Sequence, residues 1–147
     1  MLFRSVISMG LKLNDYYIQD KELEICLQNV NGNKIVCDQE KLVLVFSNLI
    51  NNAAKYSDRG QKIVIGYKKH LKRHEFFVQD FGQGFEISDH ENIFEVKKHK
   101  ISKGNNYFSL GLGLNISKYV IDSHRGKLEI DSKPNKGTII KIEIPEL

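Results

Sequence analysis

Residues 38–57 constrain the fold of this 147-residue chain more than any other stretch. They read Asp-Gln-Glu-Lys-Leu-Val-Leu-Val-Phe-Ser-Asn-Leu-Ile-Asn-Asn-Ala-Ala-Lys-Tyr-Ser and predict one long helix with two unlike faces. Leu42, Val45, Phe46, Leu49 and Ala53 recur at helical spacing and form the stripe expected to be buried. Asn48, Asn52 and Lys55 share another face, because steps of four and three return nearly to the same side of a helix. Asn is a mediocre helix former, since its amide competes for backbone groups. A merely solvated face would sooner carry Glu, Lys or Gln, yet Asn48, Asn51 and Asn52 all fall within five residues. Two readings follow: a wet face, or amide oxygens and one ammonium aimed at a metal and phosphates.

The length suits one domain with one core. Hydrophobic residues at 41% and charged residues at 27% are ordinary for a globular fold. A net charge of +4 admits an anionic partner, either nucleic acid or a small ligand such as a nucleotide. The densest basic patch, Lys97-Lys98-His99-Lys100, is too short to argue for nucleic acid. No apolar run reaches the roughly 18 residues of a membrane span. Residues 1–10 lack the apolar region and cleavage site of a secretory signal. Cys26 and Cys37 make neither a disulfide framework nor a zinc set, and they are read as reduced strand residues of a cytosolic protein.

Along the chain, Leu2, Val6, Met9 and Leu13 fit a helical stripe over residues 1–13, the start or stub of a helix continuing from a preceding domain. Residues 22–29 alternate Leu23, Ile25 and Leu27 as one strand face. Asn31-Gly32-Asn33 turns the chain, residues 34–37 form a short second strand, and Asp38 caps the long helix. Beyond the break at residues 57–60, strands at 61–69 (Ile63, Ile65, Tyr67 inward) and 74–80 form a hairpin. Residues 95–109 are Lys-rich and lack a period, the pattern of a mobile loop. A helix opens at Gly111 and runs to His124 with Leu114, Ile116, Tyr119 and Val120 buried, ending on Gly126 as its left-handed cap. Strands at 127–131 and 138–144 flank a turn at 134–137.

Three further features carry chemistry. Asp80 ends a strand just before Gly82 and Gly84, where a carboxylate can accept a hydrogen bond from the amine of a buried base and the glycines let backbone approach it. Gly111-Leu112-Gly113-Leu114 opens a helix whose free N–H groups and dipole suit phosphate. That pair is neither a dinucleotide fingerprint, since Ile116 stands at the third glycine position, nor a P-loop. His70 and His74 are four apart but flank a hairpin turn, so they do not form a helical metal pair.

In this order, Asn-x-x-x-Asn-x-x-Lys-Tyr, Asp-x-Gly-x-Gly, a loop, Gly-x-Gly at a helix start and a final Gly-Thr, the chain resembles the ATP-binding catalytic domain of bacterial sensor histidine kinases in the GHKL ATPase superfamily. The resemblance covers roughly residues 14–147. It implies a two-layer α/β sandwich of the Bergerat type, a mixed sheet with helices on one face, and ATP bound under a lid. It implies that Asn48 and Asn52 belong to the N box, with Asn52 holding Mg²⁺ and Asn48 its partner one turn earlier. Lys55 would meet phosphate and Tyr56 would lie by the adenine. Asp80, Gly82 and Gly84 match the G1 box, with Asp80 accepting from the adenine amino group. Ile93, Phe94 and Glu95 match the start of the F box. Gly111, Leu112, Gly113 and Leu114 match the G2 box under the phosphates, and Gly137-Thr138 the last motif, with Thr138 near the adenine. Two stretches depart from the pattern: Val96-Lys97-Lys98-His99-Lys100 stands where the lid usually has an aromatic pair and an Arg, and Ser109-Leu110 where Gly-Thr is usual.

The resemblance implies an Mg-ATP-dependent protein-histidine kinase domain that donates the γ-phosphoryl group to a histidine on a separate dimerisation domain, with a response regulator downstream. It implies a cytoplasmic segment, within a full-length kinase that membrane anchoring would suit. No histidine here has a phosphoacceptor-like context: His74-Glu75 is followed by Phe-Phe, and His90-Glu91 by no Thr-Pro. The chain is therefore not expected to phosphorylate itself. The rival readings are a serine kinase acting on an anti-sigma-factor partner and a nucleotide-binding module without catalysis. A gyrase-like ATPase fits less well, because that branch has a carboxylate where this chain has Asn48, and an amide cannot take a proton from water.

Overall fold

Alternating apolar residues build a five-stranded mixed sheet in the computed structural model, which describes residues 2–32, 34–86, 98–100, 107–109 and 111–146. The elements run α1 (Phe3–Leu13), α2 (Asp15–Asp20), β1 (Glu24–Gln28), α3 (Gln39–Tyr56), β2 (Lys62–His70), β3 (Arg73–Asp80), β4 (Lys98–Lys100), β5 (Tyr107–Ser109), α4 (Gly111–Ser123), β6 (Lys127–Ser132) and β7 (Thr138–Pro145). Sheet order is β1-β2-β3-β7-β6, with β1 parallel to β2 and the other pairs antiparallel. One sheet face carries Ile63, Ile65, Tyr67, Phe76, Val78, Ile140 and Ile142, all buried. Helices α1, α3 and α4 supply the opposing apolar side chains, giving the expected two-layer sandwich.

The long helix forms as its stripe predicts. Leu42, Val45, Phe46, Leu49, Ile50, Ala53 and Ala54 are buried, and the Asp38 carboxylate accepts from Lys41 N at 3.1 Å. The hairpin β2–β3 also forms as predicted, with Leu71 in the left-handed region at its turn.

Four expectations need correction. In α1 the buried residues are Phe3, Val6, Ile7 and Gly10, whereas Met9 (50% exposed) and Leu13 (67%) face outward. The reason is aromatic: Phe3 packs edge-on to Phe46 of α3 at 5.2 Å between ring centroids and lies 4.4 Å from Phe76 of β3. At Gly10 a Cβ would meet Ile50 Cδ1 at 3.1 Å, so the glycine sets the close approach of α1 to α3. Residues 34–37 form no strand; Lys34 makes an isolated bridge to Leu2, and Cys37 sits in irregular chain. In α4 Ile116 and Tyr119 (75% exposed) face outward while Ser117 and Ile121 are buried with Leu114 and Val120. The Ser117 hydroxyl donates to Gly113 O at 2.8 Å, which satisfies it within the helix. Finally, Arg125 and not Gly126 takes the left-handed conformation after α4. Gly126 is demanded by space, since a Cβ there would lie 2.4 Å from Glu143 O.

Within the stretch expected to be a loop, β4 and β5 pair as a short antiparallel ladder. The rest of 95–109, and Ile93, Phe94 and Glu95, lie outside the described residues.

Candidate functional site

The end of β3, the last turns of α3 and the start of α4 converge on one cavity, whose empty space counted together with its solvent-open mouth is about 510 Å³. Its walls come from Leu49, Asn52, Ala53 and Tyr56 of α3, Val78 and Asp80 of β3, Gln83, Gly84 and Phe85 of the glycine turn, Leu114 of α4, and Ile130, Thr138 and Ile140 of β6 and β7. Most of this lining is apolar, so the few polar groups decide what can sit there.

Asp80 is the floor. It pairs with Ile63 on one side and Thr138 on the other, which places its carboxylate inside the sheet's end, 7% exposed. Oδ1 accepts from Gly82 N at 3.0 Å. Burial pushes the carboxyl pKa up to about 6, against backbone hydrogen bonds from Gly82 and Thr138 that pull it down. A carboxylate has about four acceptor sites, so it can take a further donor from a ligand.

The glycines beside Asp80 answer to the protein's own backbone. A Cβ on Gly82 would lie 2.0 Å from Tyr56 O, and Gln83 N donates to that same oxygen at 3.2 Å. Gly84, at φ +61°, would place a Cβ 2.0 Å from Lys133 O. Apart from any role toward a ligand, these glycines are required because the turn is clamped between the end of α3 and the β6–β7 turn.

The amide face of α3 divides. Asn52 lines the cavity. Asn48 Nδ2 donates to Gly113 O at 3.2 Å, tying α3 to the first turn of α4. Asn51 is structural, donating to Asn14 Oδ1 at 3.1 Å, while Asn14 donates to Gly10 O and Ser47 O. Lys55 is exposed at the rim, its Nζ 5.5 Å from the centre of the Tyr56 ring. The half-buried Tyr56 has its phenol pKa raised to about 12 by burial.

Gly111, Leu112 and Gly113 form the opening turn of α4, and Leu114 is buried against the cavity. Of the sequence-predicted residues, Asn52, Tyr56, Asp80, Gly84, Leu114 and Thr138 thus line one cavity, with Asn48, Gly82 and Gly113 packed just behind it.

Sequence reasoning missed the apolar walls and one polar hub. Ser132 Oγ accepts from Phe85 N at 3.0 Å and donates to Gly137 O at 3.2 Å, so the Thr138 hydroxyl, 2.7 Å away, is the donor in that pair. A serine ending a strand opposite Thr138 carries no signal by itself.

Among the described residues no three His, Cys, Asp or Glu cluster as a metal site. A hard cation at this cavity would depend on amide oxygen, ligand phosphates and water, the habit of Mg²⁺. Asn52 supplies such an oxygen. A largely apolar slot with the buried Asp80 carboxylate at its floor, the Asn52 amide in its wall and a helix N-terminus beside it suits a flat heteroaromatic base carrying an amine and an anionic tail.

Comparison with known proteins bears on this geometry. The sequence profile of the family described as histidine kinase-, DNA gyrase B- and HSP90-like ATPase matches residues 37–147. The sensor-like histidine kinase SenX3 of Mycolicibacterium smegmatis is 28% identical over 144 residues, covering 97% of this chain and 37% of that protein. The chain thus spans a little over a third of such relatives. The catalytic domain of histidine kinase ThkA superimposes with a TM-score of 0.80 at 23% identity, covering 99% of this chain and 93% of that one. ThkA solved in complex with the response regulator TrrA gives 0.80 at 21% identity, covering 100% and 41%.

Proposed function

Because the chain belongs to the histidine kinase-, DNA gyrase B- and HSP90-like ATPase family, we propose that it is the Mg-ATP-binding catalytic domain of a cytoplasmic sensor-kinase segment. In this reading it donates a γ-phosphoryl group to a histidine on a partner domain, with a response regulator as the onward acceptor. Its relatives are named histidine kinases, and no described helix is long and apolar enough to cross a membrane. The observation that carries the reading is the buried Asp80 carboxylate at the floor of a largely apolar cavity, with Asn52 and Tyr56 at its side.

Asp80 accepts the adenine amine, and Thr138, held by Ser132, closes the same end. Asn52 and Lys55 face the phosphate end from α3, and the opening turn of α4 offers its backbone N–H groups. Bound Mg²⁺ would supply charge neutralisation at the β- and γ-phosphates. The described residues of α3 contribute positioning and no base: position 48 is an amide, already engaged with Gly113 O. A positioned base is commonly worth roughly 10²–10⁴-fold, so the isolated chain hydrolyses ATP slowly.

Incubating the chain with γ-labelled ATP and a histidine-bearing helical hairpin from a matching kinase tests this. Acid-labile label on the hairpin, lost with Asn52→Ala, is expected. Acid-stable label on a serine partner would support the serine-kinase reading, and no label the binding-module reading. Turnover by the lone chain near about 1 s⁻¹, ordinary for a competent enzyme, would refute the donor-domain reading.

A further inference from the structure

The last turn of α3 carries the cavity residues Asn52 and Tyr56. A helix leaves its final carbonyls without intrahelical donors, and each must be answered from elsewhere. Ala53 O accepts from Ser57 N at 3.1 Å and from Ser57 Oγ at 2.6 Å. Tyr56 O accepts from Gln83 N at 3.2 Å. The remaining carbonyls share one donor group: Lys21 Nζ donates to Ala54 O at 3.0 Å, Lys55 O at 2.7 Å and Ser57 O at 2.8 Å. All three N–H bonds of the ammonium are thereby used, and its charge sits at the negative end of the helix dipole.

Lys21 is itself held. Its carbonyl accepts from Gly60 N at 2.8 Å, Arg59 donates to Asp20 O at 3.1 Å, and the Arg59 guanidinium pairs with Glu22 at 2.9 Å. The α2–β1 turn and the α3–β2 turn therefore brace each other around the ammonium. Lys21 lies outside residues 37–147, the segment matched by the family profile, and is not among the residues lining the cavity.

We infer that Lys21 is a positioning residue for nucleotide binding: its three hydrogen bonds lock the C-terminal turn of α3 so that Tyr56 stays seated on Gly82 and Gln83 and faces the cavity. The inference rests on the adenine-nucleotide reading above. Without the ammonium, Ala54 O, Lys55 O and Ser57 O lose their donor and the turn frays. Apparent affinity then falls in proportion to the fraction of molecules that keep the competent turn.

Calorimetric titration with Mg-AMPPNP at 25 °C tests this on the whole chain, comparing the parent with Lys21→Met and Lys21→Arg. Tyr67→Phe, which removes a buried hydrogen bond to His74 at the far end of the sheet, serves as a control destabilised elsewhere. Lys21→Met is expected to bind about tenfold more weakly, Lys21→Arg to recover most of the loss, and Tyr67→Phe to match the parent. Backbone amide signals of Asn52 and Tyr56 should shift in Lys21→Met before ligand is added. Parent binding with unchanged affinity in a folded Lys21→Met overturns the role of Lys21 alone, whereas a parent that binds no adenine nucleotide overturns the site reading as well. If Lys21→Met does not fold at 25 °C, Lys21→Gln at 10 °C is read by the same criteria.

Discussion

Lowering the pH from 7 to 5 is expected to weaken adenine-nucleotide binding about tenfold through Asp80 alone. With the carboxyl pKa raised by burial to about 6, the ionised fraction is about 0.9 at pH 7 and about 0.09 at pH 5. Only the carboxylate offers its full acceptor capacity to an amine, because protonation turns one oxygen into a donor. The assay is calorimetric affinity for Mg-ADP at both pH values in the parent and in Asp80→Asn. Titration of the ligand's phosphates is common to both proteins and cancels in the ratio. The same shift has a stability sign. The folded pKa is raised from 3.8 to about 6, so this group's contribution is fully present below the unfolded value and is lost as pH rises through the folded one. Two units at about 1.36 kcal/mol each give about 3 kcal/mol. Without ligand, the stability of the parent relative to Asp80→Asn should therefore fall by that order between about pH 4 and 7. An affinity ratio that stays constant from pH 7 to 5, or equal affinity of the two proteins at pH 7, would refute the assignment of Asp80 as the base acceptor.

Three other perturbations separate local from tertiary causes. Gly82→Ala forces a Cβ to within 2.0 Å of Tyr56 O and should cost about 1–3 kcal/mol and abolish measurable nucleotide binding; Gly32→Ala, at φ +77° in open space, should cost about 1 kcal/mol and leave affinity unchanged. Phe3→Ala should destabilise by about 3–5 kcal/mol in urea melts, because its ring is fully buried among α1, α3 and β3; a loss under about 1 kcal/mol would show that α1 is not part of this core. Burial lowers the His74 pKa, with Glu146 opposing and Lys69 assisting the shift, and its Nδ1 bonds the Tyr67 hydroxyl at 2.8 Å. His74 thus contributes stability that is present above the ordinary imidazole range and is lost as pH falls through it, a slope that should vanish in His74→Phe when melts are compared across that range.

Relations between residues three and four positions apart are legible in the chain without its fold. Leu42, Val45, Phe46, Leu49 and Ala53 must share a face in any helix, as must Asn48, Asn52 and Lys55, and Asp80 must end its strand where Gly82 breaks the ladder. Those relations single out Asn52 and Asp80 of the cavity's polar residues, while Tyr56 and Thr138 come only from the family resemblance. Tertiary structure decided which apolar face of a helix meets the core when two are available. In α1 the aromatic partners Phe46 and Phe76 select Phe3 over Met9 and Leu13, and in α4 a hydroxyl satisfied by Gly113 O lets Ser117 replace Tyr119 inside. It also decided the roles of groups whose partners are distant in the chain. Helical spacing sets Asn51 apart from the face of Asn48 and Asn52 without naming its partner, which the fold supplies as Asn14 while Asn52 lines the cavity. Lys21 reads as any solvated lysine until the fold brings it to the carbonyls of Ala54, Lys55 and Ser57. Hydrogen bonds and close packing act over a few ångströms, and when their partners are tens of residues apart only the folded chain brings them within that reach.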